Sequence, residues 1–251
     1  MSKIELYNGD CLEVMKGIPD GSIDLIVTDP PYGTTACKWD SIIPLEPMWE
    51  QLKRIIKSNG AIVLTASQPF TTTLISSNLP WFKYCWVWEK NRATNFPNAK
   101  KRPLTAHEDV VVFMPSGIWY NPQKTEGHSP TNSARGASQG SIYNGDNVRN
   151  YVGGDTTRYP RTVQRFDCER GMHPTQKPVA LMEYLIKTYS NEGDTVLDFT
   201  MGSSTTIVAA MNTKRNAIGI ELDKEYFKIG CSRVKECITT NNLDVELIIK
   251  E

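Results

Sequence analysis

The stretch Asp29-Pro30-Pro31-Tyr32 carries the most specific chemistry in the chain. It follows Ile23-Asp24-Leu25-Ile26-Val27-Thr28, an apolar run with the character of a buried strand. Two prolines cannot continue a sheet ladder, so the backbone leaves the sheet at Asp29. The stiff turn presents a carboxylate, the Pro30 carbonyl and an aromatic ring. These groups suit a flat, amino-bearing heterocycle. The oxygens accept from an NH2 group, and the Tyr32 ring stacks on the face of the heterocycle. Taken alone, the four residues also fit an ordinary Pro-Pro turn with a surface tyrosine.

A second set lies late in the chain. Asp198-Phe199-Thr200-Met201-Gly202-Ser203-Ser204-Thr205-Thr206 reads as a strand end, a loop and a helix start. Its hydroxyls and free N–H groups can cap the helix and hold a carboxylate. The loop has neither the glycine pattern of a dinucleotide site nor that of a P-loop, which argues against a phosphate cradle. Glu221 ends the next expected strand, where an acid can bind the two hydroxyls of a ribose. A ribose-bearing ligand with an amino-acid carboxylate and no phosphate describes S-adenosylmethionine.

The elements that must position these residues alternate in type. Strands are expected at residues 4–7, 23–28, 61–65, 83–89, 109–114, 195–198, 217–221 and 245–249. Helices are expected at 12–16, 45–57, 68–77, 178–189, 204–212 and 224–237, with Ser58-Asn59-Gly60 as the stop signal of the second. The alternation implies an α/β sheet of mainly parallel strands, in which ligands bind beyond the carboxyl ends. Four strands then deliver Asp10, Asp29, Asp198 and Glu221 to one edge. Crowded carboxylates need cations or hydrogen-bond donors beside them. Residues 115–171 differ in texture: Gly, Ser, Asn, Thr and Pro dominate, and periodicity is lost. They are expected to form a loop-rich insertion between two segments of one catalytic domain, 1–114 and 172–251.

Formal net charge is zero over 251 residues, but its distribution is uneven. Residues 90–172 hold 12 Lys/Arg against 7 Asp/Glu, interleaved with aromatics, a pattern that fits phosphates and bases. Lys90, Lys100, Lys101, Arg102, Arg135, Arg158 and Arg161 are the candidate DNA contacts. Six cysteines and three histidines are scattered without zinc or disulfide spacing, so no metal is expected. No apolar run approaches the roughly 20 residues of a membrane span, and the start of the chain lacks a signal-peptide layout. A cytoplasmic protein without a membrane partner is expected.

Six stretches together resemble the amino-group DNA methyltransferases, which methylate adenine N6 or cytosine N4. They are Asp29-Pro30-Pro31-Tyr32, Trp88-Glu89-Lys90-Asn91, His107-Glu108, His173-Pro174-Thr175-Gln176-Lys177-Pro178, the 198–206 loop and Gly219-Ile220-Glu221. With the tetrapeptide first and the cofactor loop last, the order is similar to that of the permuted, beta-class group. The resemblance implies a Rossmann-like S-adenosylmethionine-dependent methyltransferase fold acting on double-stranded DNA by base flipping. It implies that Asp29, Pro30, Pro31 and Tyr32 hold the target amino group. Asp198, Phe199, Thr200, Gly202, Ser203, Ser204 and Thr205 would surround the methionine part of the cofactor, with Thr175, Gln176 and Lys177 closing that side. Glu221 would take the ribose, Asp10 and Cys11 the adenine, and residues 115–171 would be the target recognition region.

Adenine is the expected base, because Asp at the first tetrapeptide position accompanies adenine methylation more often in the family. Cytosine N4 is the alternative, and a non-catalytic DNA-binding protein on the same fold is another. A homodimer and a companion restriction endonuclease are candidate partners. The family loop usually reads Asp-Pro-Phe-x-Gly-Ser-Gly-Thr-Thr. Here Phe199 stands for Pro, Thr200 for Phe and Ser204 for the second Gly. The change at 200 is expected to weaken cofactor binding, and Ser204 to narrow the room for close backbone approach.

Overall fold

The apolar runs of the sequence become a sheet buried on both faces. The computed structural model describes residues 1–33, 40–117, 119–130, 154–169 and 176–251. Its strands are β1 (Ser2–Asn8), β2 (Ile23–Thr28), β3 (Ile56–Ala66), β4 (Phe82–Thr94), β5 (Thr105–Phe113), β6 (Val163–Phe166), β7 (Thr195–Asp198), β8 (Asn216–Glu221) and β9 (Val245–Lys250). Among the described residues they form one sheet in the order β6-β4-β5-β3-β2-β7-β8-β1-β9. Neighbours are parallel except where β5 pairs with β3 and β4.

Helices α1 (Cys11–Met15), α2 (Leu45–Ile55) and α3 (Phe70–Ser77) cover one face of the sheet. Helices α4 (Val179–Tyr189), α5 (Thr205–Asn212) and α6 (Lys224–Thr240) cover the other. Strand residues divide between the two layers by the pleat. Ile62, Leu64, Val111 and Phe113 face the first group; Val63, Val110 and Val112 face the second. This is the Rossmann-like α/β arrangement implied by the sequence.

The structure corrects three local expectations. Helix α2 stops at Ile55, because Ile56 is already extended (φ −72°, ψ 139°) and opens β3. Ser58-Asn59-Gly60 therefore lies inside a strand rather than capping a helix. Gly60 is there for space: a Cβ would stand 2.7 Å from the Asp24 carbonyl oxygen. Strands β4 and β5 run further than expected and pair as far as Thr94 and Thr105. Finally, β6 joins the sheet beside β4, within the stretch read as loop.

The described residues divide into two compact units, Met1–Asn121 with Thr162–Glu251, and Pro122–Arg161. In the second, Thr125 and Arg158 form an antiparallel bridge. In the first, β2, β7, β8 and β1 are successive parallel neighbours. Asp29, Asp198, Glu221 and Asp10 thus stand at or just past the carboxyl ends of four adjacent strands.

Candidate active site

Asp29 leaves β2 beside the end of β3, because Thr28 pairs with Leu64 and the next residues are Asp29 and Thr65. Its Oδ1 accepts from the Tyr32 hydroxyl at 2.7 Å and the Thr65 hydroxyl at 2.5 Å. Its Oδ2 accepts from Lys177 Nζ at 2.6 Å. Lys177 also pairs with Glu108 Oε2 at 3.2 Å, and Lys90 with Glu108 Oε1 at 3.1 Å. Two carboxylates and two ammoniums form one balanced cluster. Burial pulls the Lys177 ammonium down, but Asp29 and Glu108 outweigh it and hold it above the ordinary lysine value. Burial, with Asp29 and Glu108 nearby, pushes the Tyr32 phenol well up, so it stays a donor at neutral pH. The Tyr32 ring stacks on Phe70, with centroids 5.4 Å apart.

The tetrapeptide is tied to the next strand end by hydroxyls. Thr28 Oγ1 donates to Asp198 Oδ1 at 2.5 Å and lies 2.6 Å from Thr200 Oγ1. Thr200 Oγ1 donates to the Asp29 carbonyl at 3.1 Å, and its N–H donates to Asp198 Oδ1 at 3.1 Å. The residue that departs from the family loop is therefore a bridge between that loop and the tetrapeptide. Thr200→Val should lower stability by about 1–2 kcal/mol, since it strips the donor from the Asp29 carbonyl and a partner from Thr28. Thr200→Ser should stay near the parent. Thermal denaturation of the pair checks this, and equal melting of the Val and Ser variants would refute the bridge.

Asp198 is buried, and its partners are neutral. Burial pushes its carboxyl up to about 6, against hydrogen bonds from Thr206, Thr28 and the Thr200 N–H. Burial also raises the Glu221 carboxyl, opposed by the N–H groups of Asp223 and Gly202, each 2.8 Å from a carboxylate oxygen. Those two bonds fix the carboxylate in one orientation and leave further lone pairs for a ligand. Asp10 caps α1, accepting from the Leu12 N–H at 2.8 Å. The Cys11 thiol is pushed up to about 12, mainly by burial, and is inert as a nucleophile.

One cleft of about 1510 Å³ joins these groups, lined among others by Asp10, Asp29, Tyr32, Lys177, Asp198 and Glu221. Phe199, Thr200, Gly202, Ser203, Thr205, Gln176 and Cys11 also reach it. Its volume exceeds the 300–1,000 Å³ usual for one small ligand, leaving room for a cofactor and a base together.

Several expected residues sit elsewhere. Ser204 is fully buried in the left-handed region (φ 63°), and it does not line the cleft. Its hydroxyl occupies the space over Gly230 of α6, where a Cβ would come within 2.5 Å of it. The Ser204 side chain thus packs against α6 and not into the cleft. Lys90 is nearly buried and committed to Glu108, so it is withdrawn from the surface where a phosphate would reach it. Lys177 lines the same cleft as the cofactor loop, and its ammonium sits on Asp29. The Arg158 guanidinium donates to the carbonyls of Ser129, Asp155 and Thr157 within its own unit. Lys100, Lys101 and Arg102 are exposed. Thr175 and Arg135 lie outside the described residues.

One participant was missed and one was given no role. Thr65 is visible only through the β2–β3 register. Glu108 belongs to one of the matching stretches, but nothing local shows that it pairs with Lys177 and Lys90. Among the described residues no His, Cys, Asp and Glu side chains converge in a group able to hold a metal ion. No helix among them is long and apolar enough to cross a membrane.

A family model described as DNA methylase matches residues 23–231. The DNA adenine methyltransferase YhdJ of Escherichia coli (strain K12) is 32% identical over 247 residues, covering 91% of this chain and 82% of that protein. The type II methyltransferase M.HpaI of Haemophilus parainfluenzae is 28% identical over 251 residues, covering 91% and 73%. The crystal structure of an M1.HpyAVI–SAM complex superposes with a TM-score of 0.63 at 27% identity, covering 92% of this chain and 99% of that one. The cytosine-N4-specific PvuII DNA methyltransferase shares the fold, with a TM-score of 0.67 at 16% identity over 99% of this chain and 95% of that one.

Proposed function

The chain belongs to the DNA methylase family, and from that premise we propose that it transfers a methyl group from S-adenosylmethionine to adenine N6 in duplex DNA. The observation that carries this reading is the shared cleft. It has the Asp29-Pro30-Pro31-Tyr32 turn at one strand end and the Asp198 loop at the next, joined through Thr200. The 32% identity to a protein named a DNA adenine methyltransferase favours adenine over cytosine. Nuclease digestion of DNA incubated with the chain and cofactor, followed by mass spectrometry, tests it. N6-methyladenine is expected; N4-methylcytosine alone would overturn the base, and neither product would favour a non-catalytic DNA-binding protein.

The residues present fit the cofactor. Asp198 is a buried acid with no cation among its described partners, and the ammonium of an amino-acid moiety supplies one. Glu221 is held ready for ribose hydroxyls, and Asp10 and Cys11 flank it on β1's side of the cleft. When bound, S-adenosylmethionine supplies a methyl group already activated on a sulfonium.

The protein's task is then to aim a nucleophile. An amine conjugated to its ring has little lone-pair density. The Asp29 carboxylate and the Pro30 carbonyl accept its two N–H bonds, draw the nitrogen toward a tetrahedral shape and direct the lone pair. Tyr32, Thr65 and Lys177 hold the carboxylate in place beforehand. A base inside a duplex cannot reach this turn, so it must flip out. We assign target recognition to the inserted segment, residues 115–171. A DNA substrate supports a cytoplasmic location in a bacterial-type cell. A second copy and a companion endonuclease are candidate partners, to be sought by light scattering and co-purification.

Two predictions concern the cofactor. An unfolded Asp titrates near 3.9, so between about pH 4 and 6 the unfolded chain ionises before Asp198 does, and stability falls as pH rises through that window. Binding of a cation favours the ionised form. Cofactor affinity should therefore fall about tenfold per unit below pH 6 and level off above it. Asp198→Asn should flatten that limb. Isothermal titration with S-adenosylhomocysteine across this range decides; a flat profile in the parent would separate Asp198 from the ligand's ammonium. Glu221→Ala should weaken the same ligand by about tenfold or more, from the loss of charge-assisted hydrogen bonds. Parent-like affinity would move the ribose elsewhere.

A further inference from the structure

The β4–β5 hairpin projects past the Asp29 cluster and rims the cleft with Arg92, Ala93, Thr94, Asn95, Arg102 and Thr105. At its tip stands Phe96, an apolar ring left 77% exposed. The tip is a built pedestal. Asn95 takes the left-handed conformation (φ 70°), and Phe96–Asn98 form a 3-10 turn. The Asn98 side chain donates to Asn95 Oδ1 at 2.7 Å. The Ala99 N–H donates to the Phe96 carbonyl at 3.0 Å, and the Lys101 N–H to the Asn98 carbonyl at 2.8 Å. Such bonding fixes the backbone beneath a ring that is largely exposed.

Four exposed cations flank the tip along the chain: Arg92, Lys100, Lys101 and Arg102. Among the described residues none of the four has an ion-pair partner. An exposed apolar ring on a hairpin tip flanked by exposed cations is complementary to stacked bases behind a phosphate backbone. Thr105, paired with Thr94 at the foot of the tip, stands three residues or about 10 Å along β5 from Glu108, and both border the cleft.

We propose that Phe96 is a wedge that enters the base stack beside the target and holds the space it leaves when it flips out. This rests on the methyltransferase reading. Apolar side chains inserted between base steps unstack them, and the new aromatic contact offsets the stacking that is lost. The flanking cations hold the two backbones while the ring is inserted.

The test compares the parent, Phe96→Ala and Phe96→Trp on duplexes bearing the recognition site, which is found by long-read sequencing of DNA modified by the parent. In one duplex the target adenine is paired; in the other it faces an abasic position and is already free. On the paired duplex Phe96→Ala should lose at least about tenfold in kcat/KM, whereas on the abasic duplex it should stay within about threefold of the parent. Phe96→Trp should keep most activity on both. With 2-aminopurine at the target position, fluorescence should rise with the parent and little with Phe96→Ala. Unchanged binding of S-adenosylhomocysteine confirms that the variants are folded. Parent-like turnover by Phe96→Ala on the paired duplex, or an equal loss on both, overturns the wedge alone. A parent that methylates no duplex overturns the methyltransferase reading, and the wedge with it.

Discussion

Asp29→Asn should lower methyl transfer by roughly 10²–10³-fold or more, with the affinity for S-adenosylhomocysteine within about threefold of the parent. The carboxylate works as an acceptor only. Oδ1 already takes the Tyr32 and Thr65 hydroxyls and Oδ2 the Lys177 ammonium, so each oxygen is fixed in direction. An amide in that place turns one acceptor into a donor that meets either two hydroxyls or an ammonium. It must rotate or expel its neighbours, and it no longer offers the amine an anionic partner. The cofactor groups stand on β7, β8 and β1, and Thr200 joins them to the Asp29 main-chain carbonyl, which the substitution keeps. The Asp29 charge is the smallest of the influences on the Asp198 carboxyl, so cofactor affinity should change little. Transfer of labelled methyl groups to DNA and calorimetry of ligand binding separate the two effects. Turnover above about a tenth of the parent's would remove Asp29 from the chemistry, since a preorganised electrostatic contact of this kind contributes more than that.

The sequence displayed the strand-end acids because each follows an apolar run of strand length, and parallel strands bring such ends to one edge. It did not display the neighbours that make Asp29 usable. Thr65 comes alongside only through the pairing of Thr28 with Leu64, a register no local pattern specifies. Glu108 lies in one of the matching stretches, but its role was hidden: it stands two strands from β2, beyond β3, and reaches Lys177 through the antiparallel course of β5. The misreading of Ser58-Asn59-Gly60 has a similar origin. Gly after a helical run fits a cap, but here it is demanded by the approach of the Asp24 carbonyl from another strand. The substitutions at 200 and 204 read as losses in the loop by itself. In three dimensions Thr200 gains partners on β2, and Ser204 is accommodated by Gly230 on α6. Local chemistry was legible where one segment carries it, and hidden where two distant segments share it.

The same sharing makes Lys177 the most exposed point of the design to mutation. Its side chain is 6% exposed, and its ammonium lies between Asp29 Oδ2 and Glu108 Oε2. Lys177→Met keeps the length of the side chain but leaves two neighbouring carboxylates with one ammonium, that of Lys90. Removing one partner of a buried ion pair costs about 3–5 kcal/mol. The carboxylates here retain some contact with water, which places the expected loss at the low end, about 3 kcal/mol. For a chain of this size that corresponds to a fall in Tm of roughly 10 °C. Glu108→Gln in the same chain should restore part of it, because the surplus negative charge is then gone. The ammonium is held above the ordinary lysine value, so its contribution is complete at neutral pH and fades only as pH rises past the unfolded lysine range near 10.4. Thermal denaturation of the parent, Lys177→Met, Glu108→Gln and the double variant closes a mutant cycle. Additive losses would show that the Lys177–Glu108 contact contributes nothing. A double variant more stable than Lys177→Met alone is the expected result, because Asp29 then has no second carboxylate to face across the vacated position.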